Sequence, residues 1–187
     1  MSITNTNNII KLEKIVTTDY DALYEITSNP AVAQYIGDSK PWTPEKTKIF
    51  IEYCIKDDKK PDKARDWFTY KITYNGQLAG IIAFKATKFF FHVLSSKDKA
   101  LYKNDVLLTI YINPKYQGKG IGRTGIELLK EEIHKKKPHA AKLLSMVRVK
   151  NEPMQHVMNK LAFIKLHTLK IKDEVFDMYY SKVVNKP

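Results

Sequence analysis

Residues 106–125 read VLLTIYINPKYQGKGIGRTG, an apolar run from Val106 to Ile112 followed by a loop with four glycines and three basic side chains. The run predicts a buried strand, and Ile121, Ile126, Leu129 and Ile133 recur at helical spacing from Gly120 until Pro138. Leu143 to Val149 then returns to a strand, so the order is strand, glycine loop, helix, strand. Successive peptide N–H groups at a helix N-terminus attract anions, and glycine lets a phosphate approach the backbone without a Cβ in the way.

Several nucleotide-binding patterns share that geometry. A Walker loop needs G-x-x-x-x-G-K-[ST]; Gly122-Arg123-Thr124 imitates its end, but Gln117 stands at the first glycine position and arginine replaces lysine. Gly120, Gly122 and Gly125 do spell G-x-G-x-x-G. However, NPKYQ separates them from the strand, and the region where a ribose-binding acid belongs, about 20 residues on, reads KLLSMVR. Hydride chemistry is a poor second reading.

Outward from this unit, Lys11 to Val16 reads as a first strand, with Asp19 as N-cap of a short helix ending near Asn29-Pro30 and a further helical turn over Ala31 to Ile36. Thr43-Pro44-Glu45 is a cap with proline at the first helical position. Ile49, Phe50, Tyr53 and Cys54 recur behind it in a helix finishing near Asp57. Trp67–Tyr74 and Gln77–Phe84 form a hairpin across Asn75-Gly76, the pair that tolerates positive φ. The second hairpin strand is expected to run on toward Leu94 through Phe89, Phe90, Phe91 and Val93, and SSKDKALYKND to form a polar connection. Pro153 opens a helix carrying Val157, Met158 and Leu161, and two strands close the chain, about Ile164 to Lys172 and Val175 to Val183.

The 187 residues, 43% of them hydrophobic, suffice for one domain with its own core, expected over 1–187 with a core from 5 to 183 and frayed ends. The N-terminus lacks the basic start and apolar stretch of a signal peptide, and no run approaches a membrane span of roughly 18 apolar residues. Cys54, the sole cysteine, fits a reducing compartment; a cytoplasmic protein with no metal site is expected. The net charge of +12 could steer anionic partners. Its lysines are spread through nearly every segment, though, and Lys135 to Lys137 fall at a helix end, which argues against a nucleic-acid face.

The segment Gln117-Gly118-Lys119-Gly120-Ile121-Gly122 resembles the Q/R-x-x-G-x-G/A signature of the GCN5-related N-acetyltransferase (GNAT) superfamily, with Asn113-Pro114 as the usual lead-in. The stretch from Asn151 to Phe163 is similar to the family's later N-x-x-[AS]-x-x-hydrophobic-x-x-K-x-G-F pattern, with Ala162 in place of glycine. Thr27 to Gly37, TSNPAVAQYIG, resembles the branch of ribosomal-protein N-terminal, polyamine and amino-sugar acetyltransferases. The resemblance implies an α+β fold with a mixed, mostly antiparallel sheet of about seven strands and about four helices. Two parallel strands would splay to form an acetyl-CoA cleft. It implies that the backbone of Ile110, Tyr111 and Ile112 pairs with the pantetheine arm. The N–H groups of Gln117, Gly118, Lys119, Gly120, Ile121, Gly122 and Arg123 would hold the pyrophosphate, with charge from Lys119 and Arg123, and Asn151 would be a further contact.

Amine acetylation needs a neutral amine and a proton or other stabilisation for the departing thiolate. By the same comparison Met146 and Met158 stand where many relatives carry a glutamate and a tyrosine, and Leu107 stands where others carry an acid. The sequence leaves Asp105, Tyr111 and Ser145 as catalytic candidates, with Tyr179 or Tyr180 behind them; strand alternation puts Asp105, Leu107 and Thr109 on one face. His156 and His167 read as structural or solvent-facing. Deprotonating a lysine-like ammonium costs about 4 to 5 kcal/mol at pH 7, against about 1 for an α-amino group. The expected acceptor is therefore a protein N-terminus or an amino sugar, a nucleotide-linked one included, whose amine attacks the thioester directly. A polyamine acetyltransferase and a catalytically silent CoA-binding or interaction module are the alternatives. Monomer and homodimer both fit.

Overall fold

The computed structural model describes residues 9–88 and 96–183. Its strands are β1 (Ile10–Glu13), β2 (Trp67–Tyr74), β3 (Gln77–Ala86), β4 (Val106–Ile112), β5 (Lys142–Arg148), β6 (Ile164–Ile171) and β7 (Glu174–Lys182). They form one sheet in the order β1-β2-β3-β4-β5-β7-β6, in which, among the described residues, β4–β5 is the one parallel pair and the other neighbours are antiparallel. The α+β architecture with a mixed, mostly antiparallel sheet is thus borne out.

Six α-helices are described: α1 (Tyr20–Thr27), α2 (Pro30–Ala33), α3 (Pro44–Asp58), α4 (Ser96–Tyr102), α5 (Ile121–Lys136) and α6 (Glu152–Lys160). The two beyond the expected four are short. α4 replaces the polar connection expected there: Tyr102 is buried against Leu107, Leu144 and Met178, and its carbonyl accepts the Thr87 hydroxyl at 2.6 Å. Tertiary packing has overridden a weak local pattern. β3 stops at Ala86, and the expected continuation through Phe89 to Leu94 lies outside the described residues.

The hairpin is as expected, with Asn75 at φ 51° and Gly76 at φ 81°. β1 is shorter than expected, because Val16 is exposed and opens a 3-10 turn, Thr17–Asp19, ahead of α1. Asp19 does not cap α1 with its side chain. Its carboxylate instead accepts the Val16 N–H at 2.8 Å and binds the Lys71 ammonium at 2.8 Å, tying the turn to β2. In α3, Thr43 Oγ1 caps the Lys46 N–H at 3.2 Å; such a cap is worth about 1 kcal/mol. The buried face of α3 is Thr47, Ile51, Cys54 and Asp57, while Ile49 and Tyr53 face solvent despite their helical spacing.

α5 lays Ile126, Leu129 and Ile133 on one sheet face against Phe68, Ile72 and Ile82, and α6 adds Met158 beside them. Gly125 permits the contact: a Cβ there would stand 2.9 Å from Ile72 Cδ1. The opposite face carries α1 and α3, packed through Leu23, Ile51 and Cys54 on Ile81 and Tyr111. Each face of the sheet is therefore covered, and the site opens where β4 and β5 part.

Candidate active site

β4 and β5 pair only at Val106–Leu143 and Leu107–Leu144, so from Leu108 onward the two parallel strands diverge. The Asn113 N–H donates to the Ala79 carbonyl at 2.9 Å, which fixes the antiparallel ladder with β3. By alternation, Tyr111 spends its peptide groups on β3 opposite Ile81, whereas Leu108, Ile110 and Ile112 point theirs at the open β5 side. Of the three residues expected to pair with a ligand, Ile110 and Ile112 turn peptide groups toward the open side, and Tyr111 does not. The gap widens into a cleft of about 1080 Å³.

The glycine loop closes one end of this cleft. Asn113 Oδ1 accepts the Lys115 N–H at 3.1 Å and opens a 3-10 turn, Pro114–Tyr116. Gly118 at φ 75° and Gly120 at φ 77° carry the chain through left-handed conformations into α5, and a Cβ at either would meet nothing within 4 Å. Glycine is demanded there by backbone angle, which costs other residues about 1–2 kcal/mol, and the space around it is free for a ligand. The first helical bond runs from Thr124 N–H to the Gly120 carbonyl, leaving the N–H groups of Ile121, Gly122 and Arg123 with no partner inside α5. Gln117 differs from the expectation. Its own N–H is taken by the Pro114 carbonyl at 3.2 Å, and its side chain bonds the Ile112 carbonyl. Arg123 lines the cleft beside Glu127, 3.5 Å away, while the Lys119 ammonium sits over the rings of Tyr116 and Tyr74.

Asn151 is where the sequence put it, lining the cleft as N-cap of α6 with Oδ1 accepting the Met154 N–H at 3.2 Å. Capping and ligand contact are compatible, since the cap uses only the oxygen.

The three catalytic candidates are not brought together. Asp105 is 6% exposed, and its Oδ1 accepts the N–H groups of Lys142 at 2.8 Å and Ala141 at 3.2 Å, so it anchors the start of β5 and does not line the cleft. Burial raises its pKa against the pull of those bonds. Ser145 lines the cleft but shares the α5 face of β5 with Leu143 and Val147. Tyr111 lies on the other face, against Ile26, Val32 and Ile36, and burial pushes its hydroxyl up to about 12. It stays protonated at neutral pH, so it can donate a hydrogen bond and cannot act as a base. Tyr179 and Tyr180 sit outside the cleft lining. Met158 is fully buried, and Met146 and Leu107 pack in one apolar cluster on the Tyr111 face.

Sequence reasoning missed the wall opposite the loop. Ala31, Val32, Tyr35, Ile36, Gly37 and Asp38 line it, with Trp42 from the turn before α3, Lys46 from the first turn of α3 and Lys85 from β3. Asp38 is the one carboxylate among the described lining residues, against the cations Lys46, Lys85, Arg123, Arg148 and Lys160. Lys46 lies over the Trp42 ring at 5.0 Å, and desolvation lowers the Lys85 pKa. His156, read as structural or solvent-facing, is exposed and stands on the α6 rim of the cleft. No signal in the sequence marked Asp38, because a lone aspartate in a polar turn is unremarkable until the turn is folded over the cleft. Among the described residues no helix is long and apolar enough to cross a membrane, and no group of three or more metal-ligating side chains is found.

The sequence model of the acetyltransferase (GNAT) domain matches residues 10–164. No curated protein matches at a significant level. Among solved structures, a GNAT-family acetyltransferase from Bacillus anthracis is 20% identical, with a TM-score of 0.66 over 91% of this chain and 92% of that one. The ribosomal L7/L12 alpha-N-protein acetyltransferase RimL, in complex with coenzyme A, is 15% identical with a TM-score of 0.71 over 92% and 93% of the two chains. The aminoglycoside acetyltransferase AAC(6')-Ib, in complex with coenzyme A, is 14% identical with a TM-score of 0.74 over 93% and 95%. At these identities the likeness is one of fold.

Proposed function

The chain belongs to the GNAT acetyltransferase family, and from that premise we propose that it transfers acetyl from acetyl-CoA to a single primary amine of low basicity, a protein N-terminus or an amino sugar. One observation carries the reading: the peptide groups of Ile110 and the N–H of Ile112, turned to the open side of β4, lead toward the N–H groups left without a helical partner at the start of α5. That is a track of hydrogen-bonding groups for an amide-bearing arm, ending in an anion cradle for a diphosphate. Amide and helix-end interactions of this kind contribute about 0.3 to 1 kcal/mol each when exposed. Arg123 adds charge at the same end.

On the other side of the gap the acceptor amine meets the thioester. The new C–N bond forms as the C–S bond breaks, the thiolate takes up a proton, and the ammonium loses one. In this reading Tyr111, which lines the cleft and is kept protonated by burial, donates a hydrogen bond toward the departing sulfur. Leu107 and Met146 accept no proton, so the base must be weak: Asp38, or water in the open cleft. A weak base suffices for an α-amino group or an amino-sugar ammonium and not for a lysine-like amine. Charge supports the same choice. A polyamine or an aminoglycoside brings several positive charges to a cleft whose described lining holds five cations and one carboxylate, which disfavours it.

The experiment is a panel of amines with acetyl-CoA, following thiol release, alongside calorimetry with coenzyme A. A serine- or alanine-initiated peptide, glucosamine and glucosamine 6-phosphate should turn over faster than spermidine, kanamycin or free lysine. A strong preference for spermidine or kanamycin overturns the acceptor assignment. Tight coenzyme A binding with no turnover on any amine would make the chain a silent CoA-binding module.

A further inference from the structure

Arg148 ends β5, is 4% exposed, and reaches across the cleft's far wall. Its Nη1 donates to the Gln34 carbonyl at 3.1 Å and its Nη2 to the Gly37 carbonyl at 2.8 Å. Its Nε lies 3.2 Å from the Glu174 carboxylate at the start of β7, and its guanidinium carbon 5.5 Å from the centre of the Phe176 ring. The planar fork thus joins two carbonyls of one segment to a carboxylate of another, a geometry that lysine cannot reproduce.

The segment it grips is poorly secured otherwise. After α2 the chain passes through Gly37 at φ 47° and Ser39 at φ 62° before Trp42 N–H rejoins α1 at the Thr27 carbonyl. Among the described residues, every other hydrogen bond into 34–41 comes from within 29–41: Ser39 N–H to Ile36, Ile36 N–H to Ala33, Lys40 N–H to Asp38. Only Arg148 bonds it from elsewhere, although Ile36 also packs on Val32 and Ile26. This is the segment that presents Tyr35, Ile36, Gly37 and Asp38 to the cleft.

We infer that Arg148 is a positioning residue for acceptor specificity: it holds the 34–38 wall, and with it Asp38, at a set distance from the β4–β5 gap. The functional part of this inference rests on the acetyltransferase reading above; the structural part does not. A guanidinium is buried at a large desolvation penalty, and removing it strands the two carbonyls and leaves Glu174 with Lys150, 3.5 Å away, as its ion-pair partner. Its loss should therefore free the segment while leaving the glycine loop, at the other end of the cleft, intact.

The test is amide hydrogen exchange on Arg148→Met, Arg148→Lys and Glu174→Gln, each without ligand, with KM for acetyl-CoA and for the best amine of the panel measured beside it. Arg148→Met should speed exchange in 34–41 by about tenfold or more, and raise the amine KM about as much, with exchange in β4 and KM for acetyl-CoA unchanged. Arg148→Lys should fall between it and the native protein. Exchange in 34–41 that stays at the native rate overturns the inference, as does loss of protection spread evenly over the sheet. Should Arg148→Met fail to fold, Glu174→Gln decides: faster exchange confined to 34–41 supports the clamp, and native exchange there rejects it. Absence of any heat with coenzyme A would instead overturn the proposed function, with the exchange result still readable.

Discussion

The Gln117 side chain donates from Nε2 to the Ile112 carbonyl at 3.0 Å, binding the mouth of the glycine loop to the last residue of β4. Ile112 is one of the residues whose peptide groups face the open side, so the glutamine satisfies one acceptor there and sets the angle at which the loop leaves the strand. A net hydrogen bond of this kind is worth about 0.5 to 1.5 kcal/mol. Gln117→Ala should weaken coenzyme A binding by about three- to tenfold in calorimetry, with little change in thermal stability because the residue is exposed. Unchanged affinity would remove Gln117 from the loop's architecture.

Gly120 should be more sensitive. Its φ of 77° strains any Cβ-bearing residue although no neighbour stands within 4 Å of that position. Gly120→Ala should lower stability by about 1–2 kcal/mol and weaken coenzyme A binding by more than Gln117→Ala does, since the methyl group projects into the ligand's space. If crowding and strain were both absent, melting temperature and affinity would match the native protein.

Asp105 separates structure from catalysis. Asp105→Ala strands the N–H groups of Ala141 and Lys142 and should lose about 1–3 kcal/mol of stability, while Asp105→Asn keeps an acceptor and should lose less. The pH–rate profile of Asp105→Asn should match the native one. Because burial raises the folded pKa, the native carboxyl holds its proton more tightly than the unfolded chain does. Its contribution is full below the unfolded pKa and fades as pH rises through the folded value. The stability deficit of Asp105→Asn should accordingly be larger near about pH 3.5 than near about pH 7, which denaturant titrations at the two values can read. A deficit that grows with pH would reverse the assignment.

Cys54 should be inert in the native state. It is buried under α3 beside Ile15, Leu23 and Ile81, and desolvation pushes its thiol up to about 12. Alkylation at about pH 8 should run more than about a hundredfold slower than that of a free thiol, and no mixed disulfide with coenzyme A should form. Rapid labelling of the folded protein would contradict the burial.

The cofactor half of the site was legible early because its signals are local. Strand β4, the turn at Asn113-Pro114, the glycines at positive φ and the periodic face of α5 are adjacent in the chain, and Asn151 caps the helix it begins. Features that depend on distant contacts were not. α4 forms where a polar linker was expected because Tyr102 finds a hydrophobic slot built by β4, β5 and β7. Asp105, which alternation placed with Leu107 and Thr109, is claimed by peptide groups 36 and 37 positions away. Ile49 and Tyr53 kept a helical spacing and still face water.

By itself, then, the chain's order of residues determined the hairpin, the strand–loop–helix unit and the family, since each depends on backbone conformation and on neighbours a few positions apart. Tertiary structure alone decided which side chains of the 31–38 segment line the cleft. Asp38 enters the cleft because Arg148, more than a hundred positions later, holds the carbonyls of Gln34 and Gly37. Contacts of that range leave no periodicity in a sequence; they exist only when burial of the two sheet faces has already brought the end of β5 under the turn after α2.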